Sequence, residues 1–360
     1  MSFQAALTNH TPFSAEKFVL MDLDGQEAVL ILVTATFEDA GRGFKVAEKQ
    51  IEPFVEDVYA GDPETSSLLA ENDLSLAKPL VDVIVTATAY APQGKPAGQV
   101  PVELRVGDLR KVLRVSGHRI WALRSPSRPA PFMEMPIRYE RAYGGTNAAS
   151  KATFLPNPVG VGFKGVVSRD ALQAEIPNIE YPDSLMGGPS DKLRPAGFGP
   201  IARWWDPRPK LAGTYDKKYL DSRWPLLPLD FDPRFNQMAP ADQQSATLVG
   251  GEPARLVNLT RDGLWDFRLP RLEVPVHLVY DDTIEETHPR LDTILIEPDH
   301  RRVRLTARLC RTTVRGRRAL REIVVGQVSR GWLKSRREHK PYLDLGGTLG
   351  SVRPAPPYFR

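Results

Sequence analysis

The chain has 360 residues, of which 41% are hydrophobic and 26% are charged. This composition argues against a disordered chain and is sufficient for one large core or two smaller ones. The single cysteine, Cys310, excludes an internal disulfide framework and favours a reducing compartment. Met1–Phe18 lacks the features of a signal peptide, and the longest apolar stretch, Ala28–Val33, is too short to cross a membrane. We therefore expect a cytoplasmic protein that does not enter the membrane.

The charge is distributed unevenly. Residues 301–340 contain 14 Lys and Arg and two acids, Glu322 and Glu338, which makes this segment +12. Since the whole chain is +4, the other residues together carry about −8. Binding to nucleic acid is therefore a hypothesis for residues 301–340 alone, and we regard it as the less favoured one.

Two blocks of the chain alternate apolar and polar positions in short runs that end at turns, as β-strands do. In the N-terminal block the predicted strands are Glu27–Phe37, Val81–Tyr90, Val100–Val106, Lys111–Val115 and His118–Leu123. In the C-terminal block they are Thr293–Ile296, Val303–Leu309 and Arg321–Val328, with a hairpin turn at Arg315–Arg318. Helical patterns are few and short, at Ala171–Glu175 and Ala241–Leu248, which excludes a βαβ architecture.

The segment between the blocks is rich in proline and aromatic residues. Residues 126–241 hold 17 of the 33 prolines, which interrupt regular helices and central strands. They also hold 14 of the 30 Phe, Trp and Tyr residues, more than a solvated linker carries. We expect an ordered irregular segment packed over the sheets.

The predicted fold is mainly β. Two antiparallel, sandwich-like sheet regions flank the irregular middle segment. The expected divisions are an N-terminal β region over residues 1–125, the middle segment over 126–255, a C-terminal β region over 256–328 and a tail over 329–360.

Most motifs that could support catalysis or cofactor binding lack the necessary context. Gly160, Gly162 and Gly165 match the spacing of a dinucleotide-binding loop, but no buried strand precedes them and no helical pattern follows. Cys310 is flanked by arginines that would favour a thiolate, yet a lone cysteine in a strand-like run usually packs as a small apolar residue. We predict no cofactor and no catalytic residue.

Metal ligands and paired carboxylates give weak alternatives. The least implausible metal set is His277, Asp281, Asp282 and His288, which a strand end followed by an acidic turn explains more simply, so we predict no metal site. Asp230 and Asp232 occupy alternate positions and, in a strand, would face the same way, as the carboxylates of a retaining glycosidase require. A carbohydrate-active hydrolase therefore stays open as an alternative.

Several runs resemble a bacterial family of domains of unknown function that is encoded beside type VI secretion effectors. They cover much of residues 20–300 in the family's order. The runs are Lys78–Val83, Gly117–Trp121, Pro136–Gly145, Asn157–Phe163, Pro195–Pro200, Ala212–Asp216 and Pro228–Gln243.

This resemblance implies a non-enzymatic adaptor or chaperone. Such a protein binds a toxin effector, stabilises it and helps to load it onto the spike of valine-glycine-repeat and PAAR-repeat proteins. The partner-binding or scaffold positions that we select from these runs and their surroundings are Tyr139, Glu140, Arg141, Tyr143, Gly144, Gly145, Trp224, Asp230, Phe231, Asp232, Arg234, Asn236, Asp242 and Gln243. Core packing and turn geometry explain many of them equally well, so contact and scaffold roles both stay open.

The strand around Val303–Leu309 also suggests a basic face. Arg302, Arg304 and Arg308 alternate with apolar residues, which predicts one inward apolar face and one outward row of guanidinium groups. That row would meet an acidic partner, or it would be an ordinary solvated strand face.

Overall fold

The structure is a computed structural model that describes residues 5–122, 124–147, 149–164, 175–312, 319–340 and 342. The strands of the first part are β1 Ala6–Asn9, β2 Ser14–Met21, β3 Glu27–Asp39, β4 Phe44–Val46, β5 Val58–Tyr59, β6 Leu68–Ala70, β7 Val81–Val85, β8 Thr88–Tyr90, β9 Gln99–Val106, β10 Leu109–Ser116, β11 Trp121–Ala122 and β12 Ser125–Pro126. The strands that follow are β13 Glu134–Pro136, β14 Tyr143–Gly144, β15 Val161–Gly162, β16 Ile179–Glu180, β17 Gln244–Ser245, β18 Pro253–Val257, β19 Leu264–Arg268, β20 Val276–Tyr280, β21 Ile284–Thr287, β22 Arg290–Glu297, β23 Arg302–Thr312 and β24 Leu320–Val325.

Helices are short, and the prediction of a mainly β fold is confirmed. The α-helices of the described residues are α1 Lys217–Ser222 and α2 Arg330–Arg337. Single turns of 3₁₀-helix lie at Pro92–Gly94, Tyr139–Arg141, Arg208–Leu211, Pro233–Asn236, Ala241–Gln243 and Pro298–His300. No helix of the described residues has both the length and the apolar character needed to cross a membrane.

The largest sheet joins both ends of the chain. It has seven strands in the order β17-β7-β22-β23-β3-β2, with β4 also paired to β3. β23 runs antiparallel to β3, whereas β7 runs parallel to β22. The strand-rich blocks at the two ends of the sequence therefore share one sheet and do not form separate sheet regions on either side of the middle segment.

One face of this sheet builds the main core. Val29, Ile31 and Val33 occupy alternate positions of β3 and are fully buried, as period-two alternation requires. A five-stranded sheet, in the order β16-β10-β9-β18-β19, and a four-stranded sheet, in the order β1-β24-β20-β21, contribute to the same core. The middle segment adds Phe198 and Trp205 to it. The result is a sandwich-like core with irregular structure packed into it.

The opposite face of the seven-stranded sheet is covered by residues 47–80 and 237–239, and it combines apolar side chains, such as Ile84 and Leu295, with many polar ones. The hydroxyl of Thr34 on β3 donates to the carbonyl of Ile51 (2.8 Å), and the Met238 amide donates to Asp82 on β7 (3.0 Å). Three cations and three carboxylates are buried where this cover meets the sheet, and we call them the buried ionic layer. Its members are Asp73, Lys78, Asp82, Asp292, Arg304 and Arg308.

The expectation of an outward basic face is wrong for Arg304 and Arg308. Arg304 is 2% exposed and donates to Asp73 (2.9 Å), and its guanidinium lies 4.3 Å from the ring centre of Phe54. Arg308 is buried and paired with Asp292. Arg302 is less deeply buried and is paired with Glu297 (2.6 Å). The reason is that the cover supplies the Asp73 carboxylate and several backbone carbonyls, while β22 supplies Asp292, so the alternation marks a buried ionic face and not a solvated one.

One local prediction also needs correction, and the tail contains a helix. Ala241–Leu248 is not a helix, because only Ala241–Gln243 forms a 3₁₀ turn before β17 pairs with β7. The predicted tail begins with α2, whose Trp332 is buried against Val279 and Val324, and Ser329 caps that helix by accepting from the Trp332 amide (3.1 Å).

Some predictions lie wholly or partly outside the described residues. They are the helix at Ala171–Glu175, the hairpin turn at Arg315–Arg318, the end of the strand His118–Leu123, Gly165 of the glycine motif and most of the tail beyond residue 340.

We predict that Arg304→Met lowers the free energy of unfolding by about 3–5 kcal/mol, because it leaves the Asp73 carboxylate buried without its cation. Arg234→Met is the matched control, since Arg234 pairs with Asp232 at the surface, and it should cost much less stability. Urea unfolding of both variants measures the difference. Equal losses would show that the buried ionic layer contributes no more than a surface pair.

Candidate functional site

The predicted run Tyr139–Gly145 lies against the core and is held by residues distant in sequence. Tyr139 is buried, its ring meets Trp205 edge to face at 5.4 Å, and its hydroxyl donates to the Gly199 carbonyl (3.2 Å). Burial raises the pKa of Tyr139 well above its ordinary value. This side chain therefore acts as a neutral core anchor.

Glu140 has a similar structural role. Its carboxylate accepts from the Ser67 amide (2.8 Å) and from the Ser67 hydroxyl, while that hydroxyl oxygen accepts from the Tyr139 amide (2.9 Å). These bonds join the first turn of the run to the loop before β6. Arg141, in contrast, is exposed.

Asn157 explains the paired glycines. Its side-chain amide donates to the carbonyls of Tyr139 (2.9 Å) and Tyr143 (3.0 Å), and its own carbonyl accepts from the Gly145 amide (2.8 Å). A Cβ on Gly144 would lie 2.1 Å from the Asn157 carbonyl oxygen. On Gly145, which has φ +99°, it would lie 2.2 Å from the Gly160 carbonyl oxygen. The structure thus brings together two of the family-like runs, Pro136–Gly145 and Asn157–Phe163.

Asp242 and Gln243 meet a buried lysine. The Lys111 ammonium donates to Asp242 (2.9 Å) and Gln243 (2.8 Å), and Tyr181 donates its hydroxyl to Asp242 (2.9 Å). Gln243 in turn donates to the carbonyls of Val83 (2.6 Å) and Phe198 (2.9 Å). Burial lowers the pKa of Lys111 to about 8, and the Asp242 carboxylate opposes that shift.

Sequence reasoning missed Lys111, although a signal was present. Lys111 occupies the same phase of the β10 alternation as Leu113 and Val115, which are buried. A lysine on an apolar phase needs a partner, and Asp242 and Gln243 provide it across the sheet.

Asp230 and Asp232 do not form a strand pair. Asp230 lies in a turn and accepts from the Thr214 hydroxyl (2.7 Å) and amide (3.0 Å). Asp232 caps the 3₁₀ turn Pro233–Asn236 by accepting from the Arg234 amide (2.9 Å), and it also pairs with the Arg234 guanidinium. The prolines on either side of the run favour this turn geometry over an extended strand.

The electrostatics of this pair do not suit glycoside hydrolysis. Hydrogen bonds from Thr214 lower the pKa of Asp230, and hydrogen bonds from Arg234 lower that of Asp232. A glycosidase needs one carboxyl group whose pKa is raised so that it can donate a proton. The two carboxylates act here as loop anchors.

The remaining predicted residues of this region lie at or near the surface. Phe231 packs against Phe235 at 5.7 Å, and Asn236 donates to the Ala77 carbonyl (2.9 Å). Trp224 is 67% exposed, and Leu229 is 80% exposed. They belong to residues 215–229, whose exposed apolar side chains we call the apolar ridge: Tyr215, Leu220, Trp224, Leu227 and Leu229.

The apolar ridge rests on a defined support. Asp216 caps α1 by accepting from the Tyr219 amide (2.8 Å), and the buried Tyr219 donates its hydroxyl to the Leu226 carbonyl (2.9 Å). Arg223 donates to the carbonyl of Leu23 in the turn between β2 and β3. The exposed side chains are therefore held in place by a short helix and by the edge of the seven-stranded sheet.

Cys310, the possible metal ligands and the cavity beside Tyr139 are the other candidates. Burial raises the pKa of the Cys310 thiol, which disfavours a thiolate. Within the part of the chain that the structure describes, no three His, Cys, Asp or Glu residues are placed to hold a metal ion. A cavity of about 120 Å³ lies beside Tyr139, smaller than the ~300 Å³ at which ligand pockets usually begin.

We predict that the stability of the wild-type protein relative to Lys111→Met rises with pH between about 8 and 10.5. In this window the unfolded lysine binds a proton that the folded one has lost, so the free energy of unfolding increases with pH, by about 3 kcal/mol in all. Urea unfolding across this window provides the measurement. Lys210→Met, which removes an exposed lysine, is measured beside it as the control for the substitution itself. A difference for Lys111→Met that does not change with pH would contradict the burial of the Lys111 ammonium.

We also predict that Gly145→Ala costs more than about 3 kcal/mol of stability, because the new methyl group meets the Gly160 carbonyl. Gly41→Ala is the matched control. Gly41 also has a positive φ but no atom within 4 Å of its added Cβ, so only backbone strain of about 1–2 kcal/mol applies. Similar melting temperatures for the two variants would contradict the close approach of Gly145 to the Gly160 carbonyl.

Comparison with known proteins gives one match. The model of a protein family described as an uncharacterized protein conserved in bacteria (DUF2169) matches residues 24–308, which is most of the chain. No curated protein and no solved structure was found to match. The matched region includes the Tyr139–Gly145 run, the Lys111 contacts, the apolar ridge and most of the buried ionic layer's sheet. The chain therefore belongs to the DUF2169 family of bacterial proteins.

Proposed function

We propose that the chain is a non-enzymatic adaptor and chaperone. It binds a toxin effector of type VI secretion, stabilises it, and helps to load it onto the spike of valine-glycine-repeat and PAAR-repeat proteins. The resemblance of the family-like runs supports the secretion system. The observation that carries a protein-binding role is the apolar ridge.

The ridge has the composition of an interaction site. Five large apolar side chains are exposed within residues 215–229, and such a concentration in one short segment supports a surface that a partner covers. Trp and Tyr are the residues that most often carry binding energy at such surfaces, and Trp224 and Tyr215 are both exposed here. The exposed Lys217, Lys218 and Asp221 would supply the polar rim that surrounds a typical interface.

The hydrogen bonds that hold the apolar ridge in place also favour reversible binding. An adaptor must release its cargo, so it needs a moderate interface whose surface is already ordered before binding. The bonds from Asp216, Tyr219 and Arg223 provide that order. Most of the other residues that we selected from the sequence hold the fold, which leaves the ridge as the natural contact surface.

We predict that the double variant Trp224→Ala with Leu229→Ser binds the effector encoded beside this gene at least about tenfold more weakly, because it removes two exposed anchors. Co-purification and titration of the purified pair measure the loss. In cells, the variant should also lower effector abundance, as deletion of the gene should.

The matched control is Ile120→Ser with Val249→Ser. These residues are 61% and 70% exposed but lie outside the ridge, and the control should bind as the wild-type protein does. Wild-type affinity for the ridge variant would remove the ridge from the interface. Unchanged effector abundance and delivery in the deletion strain would refute the adaptor role itself.

A further inference from the structure

A second surface feature lies on a different part of the molecule. It is a groove of about 1190 Å³ between β4, which pairs with β3 of the seven-stranded sheet, and β19, the edge strand of the five-stranded sheet. The turn Asp39–Phe44 forms one wall, and Leu264–Arg271 forms the other. The groove therefore follows the opening between two sheet edges.

The floor of the groove is aromatic. Phe44, Trp265 and Phe267 contact one another, with ring centres 4.2–6.1 Å apart. Trp265 is buried and donates its ring nitrogen to Asp39 (3.0 Å), whereas Phe44 and Phe267 are partly exposed. The indole is thus fixed, and two apolar rings are available to side chains that enter the groove.

The edge of β19 offers unpaired backbone groups toward the groove side of the sheet. The Asn258 amide donates to the Gly263 carbonyl (2.7 Å) at the end of the hairpin between β18 and β19. Because hydrogen-bonded and non-hydrogen-bonded residue pairs alternate along an antiparallel ladder, this bond fixes which residues of β19 bond to β18. Trp265 and Phe267 consequently bond to β18. The N–H and C=O groups of Leu264, Asp266 and Arg268 point away from it, and β19 has no second strand neighbour among the described residues.

The charged side chains of the groove favour an acidic partner. Its two carboxylates are already engaged, Asp39 with Trp265 and Arg301, and Asp266 with Arg255. Arg42 and Arg268 are exposed, and neither has a carboxylate within ion-pair distance among the described residues. An occupant with acidic residues therefore gains two pairings that the free protein lacks.

We infer that this groove binds an extended segment of a partner protein, rich in acidic and apolar residues, as an additional strand on β19. The backbone of the segment pairs with Leu264, Asp266 and Arg268. Its apolar side chains meet Phe44 and Phe267, and its acids meet Arg42 and Arg268. This gives the proposed adaptor a second contact, yet it rests on the groove alone and would stand without the ridge.

The test uses a synthetic peptide of about nine residues in which aspartate alternates with leucine, a strand-length probe. Fluorescence anisotropy should show saturable binding to the full chain that weakens with salt. Hydrogen exchange should slow at the amides of Leu264, Asp266 and Arg268. A peptide with lysine in place of aspartate should bind at least about tenfold more weakly.

Paired variants separate the backbone contribution from the charge contribution. Asp266→Pro and Asp266→Ala both lose the pair with Arg255, but only proline removes the outward N–H, so it should bind the peptide about tenfold more weakly than alanine. Arg42→Glu with Arg268→Glu should weaken binding about tenfold and flatten its salt dependence. The control with the same charge change, Arg124→Glu with Arg128→Glu, is exposed elsewhere and should leave the affinity unchanged.

The remaining outcomes decide against the inference. Absence of peptide binding, equal binding of the lysine peptide, or equal affinity of the two Asp266 variants would overturn it. Displacement of the peptide by an oligothymidine would assign the groove to single-stranded nucleic acid instead, and displacement by a peptide of residues 343–360 would assign it to this chain. Trp224→Ala with Leu229→Ser should not change peptide affinity, so failure of the groove and failure of the ridge are distinguishable.

Discussion

The buried ionic layer is the constraint on which the rest of the structure depends. The seven-stranded sheet is covered on both faces, and one face carries Arg304, Arg308 and Asp82. Charges in such a place are tolerated because each is paired with an opposite charge and most of their other polar atoms are bonded. Residues 47–80 and 237–239 must therefore lie where they do, because they supply Asp73, Lys78 and the amides that bond to Asp82.

This constraint also explains why the family-like runs are brought together. Lys78–Val83 supplies the pair of Lys78 with Asp82, and Pro228–Gln243 supplies Gln237, which donates to Asp82 (2.7 Å), and Gln243, which reaches Val83. Residues that looked like contact positions are mostly used to close the fold. The surface that this network does not use includes the apolar ridge and the groove beside β19, the two surfaces that we propose for a partner.

Sequence patterns predicted the structure correctly where the structure depends on residues that are close together in the chain. Short apolar or alternating runs that end at turns predicted Glu27–Phe37 and Val100–Val106 close to the observed β3 and β9, because these signals depend only on the strand and its flanking residues. The alternation failed for Arg304 and Arg308, because an alternating row of arginines looks the same whether water or a carboxylate covers it. Asp73 lies more than two hundred residues from Arg304 in the chain, and no short-range pattern predicts that pairing. The pair Asp230 and Asp232 failed for another reason, since the nearby prolines outweighed the alternation. The burial of Lys111 could have been predicted, because Lys111 lies on the same side of β10 as the apolar residues Leu113 and Val115.

The central claim is that this chain binds a protein through surfaces that the fold leaves unused. Hydrogen exchange of the purified chain, free and bound to the effector encoded beside its gene, tests the claim most directly. The account predicts slower exchange in residues 215–229 on binding, with a second protected region at residues 264–268 where the effector provides an extended acidic segment, and no change in β23. An effector that binds without protecting residues 215–229, or that alters exchange only in the buried strands, would contradict the account.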